Sequence, residues 1–244
     1  YNGLGTMYRA RRDYSAACAA FERAIRFEPR LIDAYINLCN TYRDTCNEAG
    51  ILEIADQGLR IDPTCAQLWL LRSEAAFTIG NLADGWRDYE WRFLTQERPV
   101  NIQTYALPVW KGENLATKGI LIWCEQGVGD EIIFSSMVAE VAARAKRCVL
   151  QATPRLAPLF ARSFPNIEIF GGAVPADVAE SLDVQSAMGS LGQWMRPTFR
   201  LFPTIANYLK ANSERTLALR TRYGGKKDRA LVVGLAWRSA NVID

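Results

Sequence analysis

The residues of this chain whose types and spacing could do chemistry gather in one short loop, Glu125-Gln126-Gly127-Val128-Gly129-Asp130. An apolar run precedes it and a helical pattern follows it. The loop lacks the Gly-Lys-Ser/Thr ending of a nucleotide-binding P-loop. It also fails the dinucleotide fingerprint: Ile132 stands in place of the third glycine, and no acidic residue ends the next strand, Cys148–Gln151. What remains is a tight strand-to-helix turn, with backbone amides at the positive end of a helix and an acidic side chain at its mouth. On spacing alone Asp130 reads as a helix N-cap. The chain has no histidine, so acid–base chemistry here is left to Asp, Glu, Lys, Tyr or Cys. The cysteines Cys18, Cys39, Cys46, Cys65, Cys124 and Cys148 form no Cys-x-x-Cys pair. Without histidine they supply too few ligands for zinc, and no metal or other cofactor is expected.

The elements that must position this loop read as α/β. Ile120-Leu121-Ile122-Trp123-Cys124 is a continuous apolar run suited to a buried parallel strand. A helical pattern follows over about 131–145, with Ile132, Ile133, Met137, Val138 and Val141 inward. Further strands are expected at Cys148–Gln151, Ile167–Phe170 and Leu182–Gln185, with helices after Pro154 and over about 212–222. This alternation predicts a doubly wound parallel sheet. A last strand signal, Ala230–Trp237, comes close to the final residue, Asp244, and reads as the start of an unfinished unit.

The first hundred residues follow a different rule. Pro29 and Pro63 lie 34 residues apart, the tetratricopeptide period. The same shift aligns Tyr1 with Tyr35 and Trp69, Leu4 with Leu38, and Tyr8 with Tyr42. Small residues such as Gly5, Ala17 and Ala24 let paired helices approach, while Leu4, Tyr8 and Phe21 fill the seam. Helices are expected at about 1–11, 14–27, 31–43, 48–60, 65–79 and 82–95. In the third repeat Arg72, Ser73 and Arg92 fall at positions that are usually apolar or small, and an aromatic cluster of Trp86, Tyr89, Trp91 and Phe93 appears. That pattern predicts a terminal cap docked on the following domain; an aromatic binding site is the alternative. Asn37 falls on the expected inner face of the superhelix, where its amide could meet an extended peptide backbone. The equivalent positions are Gly3 and Leu71, so there is no asparagine ladder, and a solvated Asn37 is the other reading.

Composition agrees with a globular chain, 49% apolar and 23% charged. The net charge of +3 is too small to argue for nucleic acid. No apolar run approaches the length of a membrane span. The first hundred residues hold 12 Arg, no Lys and 14 acids, whereas every Lys lies at or after Lys111. That asymmetry agrees with a boundary near residue 100. The chain begins inside a repeat and without Met, so it reads as a piece of a longer protein, with the unpaired cysteines suited to a reducing cytoplasm.

Taken in order, Gly85–Phe93, Trp110-Lys111-Gly112-Glu113, the Glu125–Asp130 loop, Pro154–Phe160, Leu182–Gln185, Asn207-Tyr208-Leu209 and Val233–Ser239 resemble bacterial tetratricopeptide proteins fused to a glycosyltransferase-like domain of the heptosyltransferase type, with GT-B architecture. The resemblance implies a helical array over 1–98, a linker over 99–117, a Rossmann-like acceptor-side domain over 118–225, and the first strand of a truncated donor domain over 226–244. It implies Asp130 as general base, with Glu125, Gln126, Gly127 and Gly129 forming the acceptor or phosphate loop. Arg238, Ser239 and Asn241 would lie near the donor phosphates. The donor would be a nucleotide sugar, bound only once the second domain is present. The function so implied is a scaffold joined to the acceptor half of an inverting glycosyltransferase. The alternative is a non-enzymatic interaction scaffold with a degenerate α/β part, its partner a protein or peptide held in the repeat groove.

Overall fold

The computed structural model describes residues 1–95, 105–204 and 207–223. Residues 1–95 form six helices: α1 (Asn2–Ala10), α2 (Tyr14–Phe27), α3 (Ile32–Asp44), α4 (Glu48–Ile61), α5 (Ala66–Thr78) and α6 (Leu82–Tyr89). A 3-10 turn, Glu90–Leu94, continues α6. Consecutive helices pair, and the 34-residue period of the sequence reappears as a period of interactions. Asp13, Asn47 and Asn81 each cap the second helix of a pair, accepting from the amides of Ala16, Gly50 and Asp84. The residue before each cap turns left-handed, at φ 60° for Arg12, 54° for Cys46 and 83° for Gly80. The Tyr35 hydroxyl donates to the Pro29 carbonyl at 2.9 Å, and the Trp69 indole donates to the Pro63 carbonyl at 2.8 Å.

The polar residues of the third repeat are explained by their partners. Ser73 donates to the Gly85 carbonyl at 2.8 Å, as Cys39 does to the Ile51 carbonyl one repeat earlier. Arg72 lies over the Trp69 ring, 4.2 Å from its centroid, and binds Asp88 and Asp56 at 2.7 and 2.6 Å. The array is therefore a tetratricopeptide-like set of three helical pairs, closed on its last pair by ion pairs where the earlier pairs use apolar contact.

The second part is a four-stranded parallel sheet: β1 (Gly119–Trp123), β2 (Arg147–Ala152), β3 (Glu168–Gly171) and β4 (Val184–Ala187) in the order β3-β2-β1-β4. Between β1 and β2 run α7 (Val128–Phe134), a 3-10 turn and α8 (Val138–Arg144). The remaining helices are α9 (Ala157–Ser163), α10 (Ala176–Glu180), α11 (Gly192–Met195) and α12 (Ser213–Tyr223). Successive strand residues point to opposite faces, so Ile120 and Ile122 pack with Val138, Val141 and Phe160, while Leu121 packs with Val174, Ala179 and Leu182. Both faces are covered, which explains why β1 reads as an unbroken apolar run.

The structure departs from the sequence expectations at several places within the described residues. Ile133, expected inward, is exposed because the break after Phe134 changes the helix face, and Leu4, on the first helix, is exposed as well. Residues 105–117, expected to belong to a linker, are built into the α/β part. Trp110 and Leu115 are buried in its core, and Pro108 and Trp110 exchange backbone hydrogen bonds with Gln185 on the open edge of β4. The single helix expected over 131–145 is broken into α7, a 3-10 turn and α8. The strand expected at 230–237 lies outside the described residues.

Candidate functional site

The turn Gly127–Asp130 leaves the carboxyl end of β1. The sheet order places this end beside β4, where the chain, having built β2 and β3 on one side, crosses to the other. Ligands of open parallel sheets bind outside the strands' carboxyl ends at such a reversal. Asp130 sits one turn later than an N-cap: α7 starts at Val128, and Gly127 is the residue before it. Its carboxylate reaches back and accepts the Gly127 amide at 3.2 Å, tying the mouth of the turn to the first turn of the helix.

The stem of the turn is not open to solvent. Glu125 is 3% exposed, and its Oε1 accepts both the Arg92 guanidinium and the Gly189 amide at 3.0 Å. Arg92 is itself 2% exposed and is carried by the last turn of the repeat array. Its guanidinium also donates to Glu90 at 2.7 Å, to the Tyr89 carbonyl at 3.1 Å and to the Ser190 hydroxyl at 2.7 Å. The Ser190 hydroxyl donates in turn to Glu90 at 2.8 Å. One arginine thus spans the ends of β1 and β4. The rings of Tyr89 and Phe93 flank it, 4.4 and 4.1 Å from its central carbon.

The aromatic cluster does the docking expected of it, with one exception. The Trp86 indole donates to the Arg196 carbonyl at 3.0 Å, and Tyr89 donates to the Gln126 side chain at 2.9 Å. Phe93 lies against Trp123. Trp91 turns back instead and stacks on Trp69, the ring centroids 5.2 Å apart. Close approach demands glycine here: a Cβ on Gly192 would sit 2.4 Å from the Trp86 ring, and one on Gly189 would sit 2.5 Å from Glu125.

Burial pushes the Glu125 carboxyl above its ordinary pKa, against the opposing pull of Arg92 and of the Gly189 amide. It likewise pushes the Tyr89 hydroxyl up to about 12, so Tyr89 stays a donor to Gln126 near neutral pH. Behind the turn, Glu131 is buried and accepts the Thr153 amide at 3.1 Å. The Cys124 thiol donates to the Gln151 carbonyl at 2.9 Å, and burial raises its pKa. A thiol held this way is a packed donor.

A second candidate region is the concave face of the repeats, a groove of about 330 Å³ lined by the first helix of each pair. Asn37 lies in it, as expected for the inner face, and donates to the Asn2 side chain at 3.1 Å. Arg9 pairs with Asp44, and Arg43 with Glu74, along the same face. Ile36, Leu70 and Leu71 supply apolar lining, and Thr95 closes the end nearest Arg92. Asn37 and the Glu125–Asp130 turn are separate sites. Arg238, Ser239 and Asn241 lie outside the described residues.

Arg92 is the residue that sequence reasoning placed without a role. The one signal present was an arginine at a position normally apolar, beside an aromatic cluster; its buried acid, Glu125, stands 33 residues later and carries no mark in the sequence.

Fold and site together define a tetratricopeptide-like array docked on a parallel α/β unit. No protein-family model matches the chain. Protein FlbA of Caulobacter vibrioides is 26% identical over 259 residues, which take in 98% of this chain and 43% of FlbA. The chain therefore spans less than half the length of that relative. Among solved structures, MamA is 18% identical and aligns over 39% of this chain and 52% of its own, with a TM-score of 0.36. The first TPR of Spaghetti (RPAP3), bound to the HSP90 peptide SRMEEVD, is 16% identical over 39% of this chain and 76% of its own, with a TM-score of 0.38. The Sgt2 TPR domain from Aspergillus fumigatus is 21% identical over 37% and 60%, with a TM-score of 0.35. Among the described residues no helix is long and apolar enough to cross a membrane.

The geometry of the buried pair predicts an asymmetry between its partners. Replacing Arg92 by Met leaves Glu125 buried without its cation and should cost about 3–5 kcal/mol. Glu125→Gln keeps an acceptor for Arg92 and Gly189 and should cost far less. Because the folded pKa of Glu125 is raised, its contribution to stability is greatest below the unfolded value and is lost as pH rises through the folded one. The Gln variant should therefore gain on the wild type as pH increases from about 4. Denaturant unfolding of both proteins across this range measures the difference; a Gln variant that loses ground with rising pH would contradict it.

Proposed function

We infer that the chain is a protein-interaction scaffold whose concave groove takes an extended stretch of another polypeptide. The groove carries this reading. It is open, long enough to be shared by three repeats, and combines side-chain amides on Asn37 and Asn40 with apolar contacts from Ile36 and Leu70. Amides placed this way can pair with a peptide backbone whatever its sequence, while the apolar pockets choose among side chains. Decapeptides selected from a random display library on this chain should bind Asn37→Ala about tenfold more weakly, the worth of one interfacial hydrogen bond. Unchanged affinity for Asn37→Ala and for Leu70→Ala alike would place binding elsewhere.

A second reading is favoured by the position of Asp130 at the reversal of strand order. On this reading the α/β part is the acceptor half of a metal-independent, inverting glycosyltransferase of GT-B architecture. Glu125, Gln126, Gly127 and Gly129 shape the acceptor side. The Asp130 carboxylate removes the proton from an acceptor hydroxyl as its oxygen attacks the anomeric carbon of a nucleotide sugar, and the nucleoside diphosphate leaves. The donor is bound mainly by a second domain, with Arg238, Ser239 and Asn241 near its phosphates. In the complete protein Asp130→Asn should lower kcat by roughly 10²–10⁴-fold. Asparagine can still accept the Gly127 amide, so stability should stay within about 1 kcal/mol. Full turnover in the Asn variant would remove Asp130 from the chemistry.

A further inference from the structure

Within the Gly127–Asp130 turn Val128 packs against the core of the α/β part, whereas the two glycines have little around them. A side chain at Gly129 would meet nothing within 4 Å, and one at Gly127 would meet only the Asp130 carboxylate, at 3.6 Å. Its placement must therefore be set from either side. Downstream, Glu131 is anchored on the Thr153 amide. Upstream, both stem residues are held by the third repeat: Glu125 by Arg92, and Gln126 by the Tyr89 hydroxyl. These two clamps come from residues 33 and 37 positions earlier in the chain. The Gly189 amide completes the grip on Glu125 from the end of β4.

We propose that Tyr89 and Arg92 are positioning residues for the Asp130 carboxylate, so that the site on the α/β part is complete only when the last repeat is docked on it. The proposal rests on the transferase reading of Asp130. It assigns the third repeat a role beyond closing the array. The repeat fixes the stem of the turn and leaves the Gly127–Asp130 limb as the portion free to meet a ligand. Placement errors of an ångström at a reacting group are costly, and a turn whose one apolar anchor is Val128 draws the rest of that accuracy from its stem.

The test uses the complete protein with two variants. Tyr89→Phe deletes one hydroxyl and keeps the ring packed against Trp86 and Phe134; Arg92→Lys keeps the charge and loses the planar fork. The first readout is amide hydrogen exchange over residues 126–131, with the β2 amides as internal reference. The second is release of nucleoside diphosphate from uridine, guanosine and adenosine diphosphate sugars, with water as acceptor, resolved into kcat and KM. Tyr89→Phe should melt within about 4 °C of the wild type. It should speed exchange in the turn roughly tenfold, as loss of one hydrogen bond does to a local opening. It should also lower kcat roughly 10- to 100-fold at unchanged KM. Arg92→Lys should change exchange and kcat in the same directions. Unchanged exchange in both variants overturns the proposal, and so does faster exchange with wild-type kcat in a protein that turns donor over. A wild-type protein with no turnover fails the transferase reading instead, and exchange alone then decides whether the repeat holds the turn.

Discussion

A single buried ion pair, Arg92 with Glu125, organises how the two parts of this chain meet. Neither partner would be expected inside a protein alone, because removing a charge from water costs several kcal/mol. Each is tolerated because the other lies at 3.0 Å and because the remaining hydrogen-bonding capacity is nearly filled. Glu90 and Ser190 take up the rest of the guanidinium, and the Gly189 amide shares the carboxylate oxygen. Only the Arg92 Nε is left buried without a partner in this network. Burial pushes the Glu125 carboxyl up while the cation pulls it down, the usual opposition in a buried pair. A pair with one bonding geometry fixes how the two parts meet, whatever its net contribution to stability. Apolar docking surfaces can slide, whereas a guanidinium bridging the ends of β1 and β4 has one geometry.

That constraint explains features that otherwise look unrelated. The third repeat departs from its predecessors because it must bury polar groups toward two neighbours. Arg72 secures it to the second pair through Asp56 and joins its two helices, α5 and α6, through Asp88, and Arg92 secures it to the sheet. The glycines after β4 are absent side chains that let Trp86 and Glu125 approach. The end of the concave groove lies at the close of the same 3-10 turn, where the Thr95 hydroxyl donates to the Arg92 carbonyl at 3.0 Å. Groove and turn are thus joined through one short element.

Much of this was legible in the residues, for physical reasons. The 34-residue shift reflects helical pairs that repeat their capping, turn and aromatic–proline contacts, so local chemistry and period agree. The parallel strands were readable because both faces are buried and their sequences lose alternation. Three of the four clustered rings dock where a large apolar surface had to be covered. Trp91 escaped prediction because Trp69, its stacking partner, stands 22 residues earlier, and ring stacking has no sequence period. Residues 105–117 read as a linker because Pro108 and Gly112 punctuate them; pairing against β4 depends on Gln185, whose side chain binds the Tyr105 and Leu107 carbonyls. The Arg92–Glu125 pair was hidden for the same reason. Two charges 33 residues apart in different structural classes leave no local signature; only the misplaced arginine did.

The central claim is that this pair and the rings around it make the repeats and the sheet one cooperative body. Differential scanning calorimetry of the chain tests it most directly. The account predicts a single transition whose calorimetric and van't Hoff enthalpies agree. Two separated transitions, one for the helical array and one for the α/β part, would contradict it.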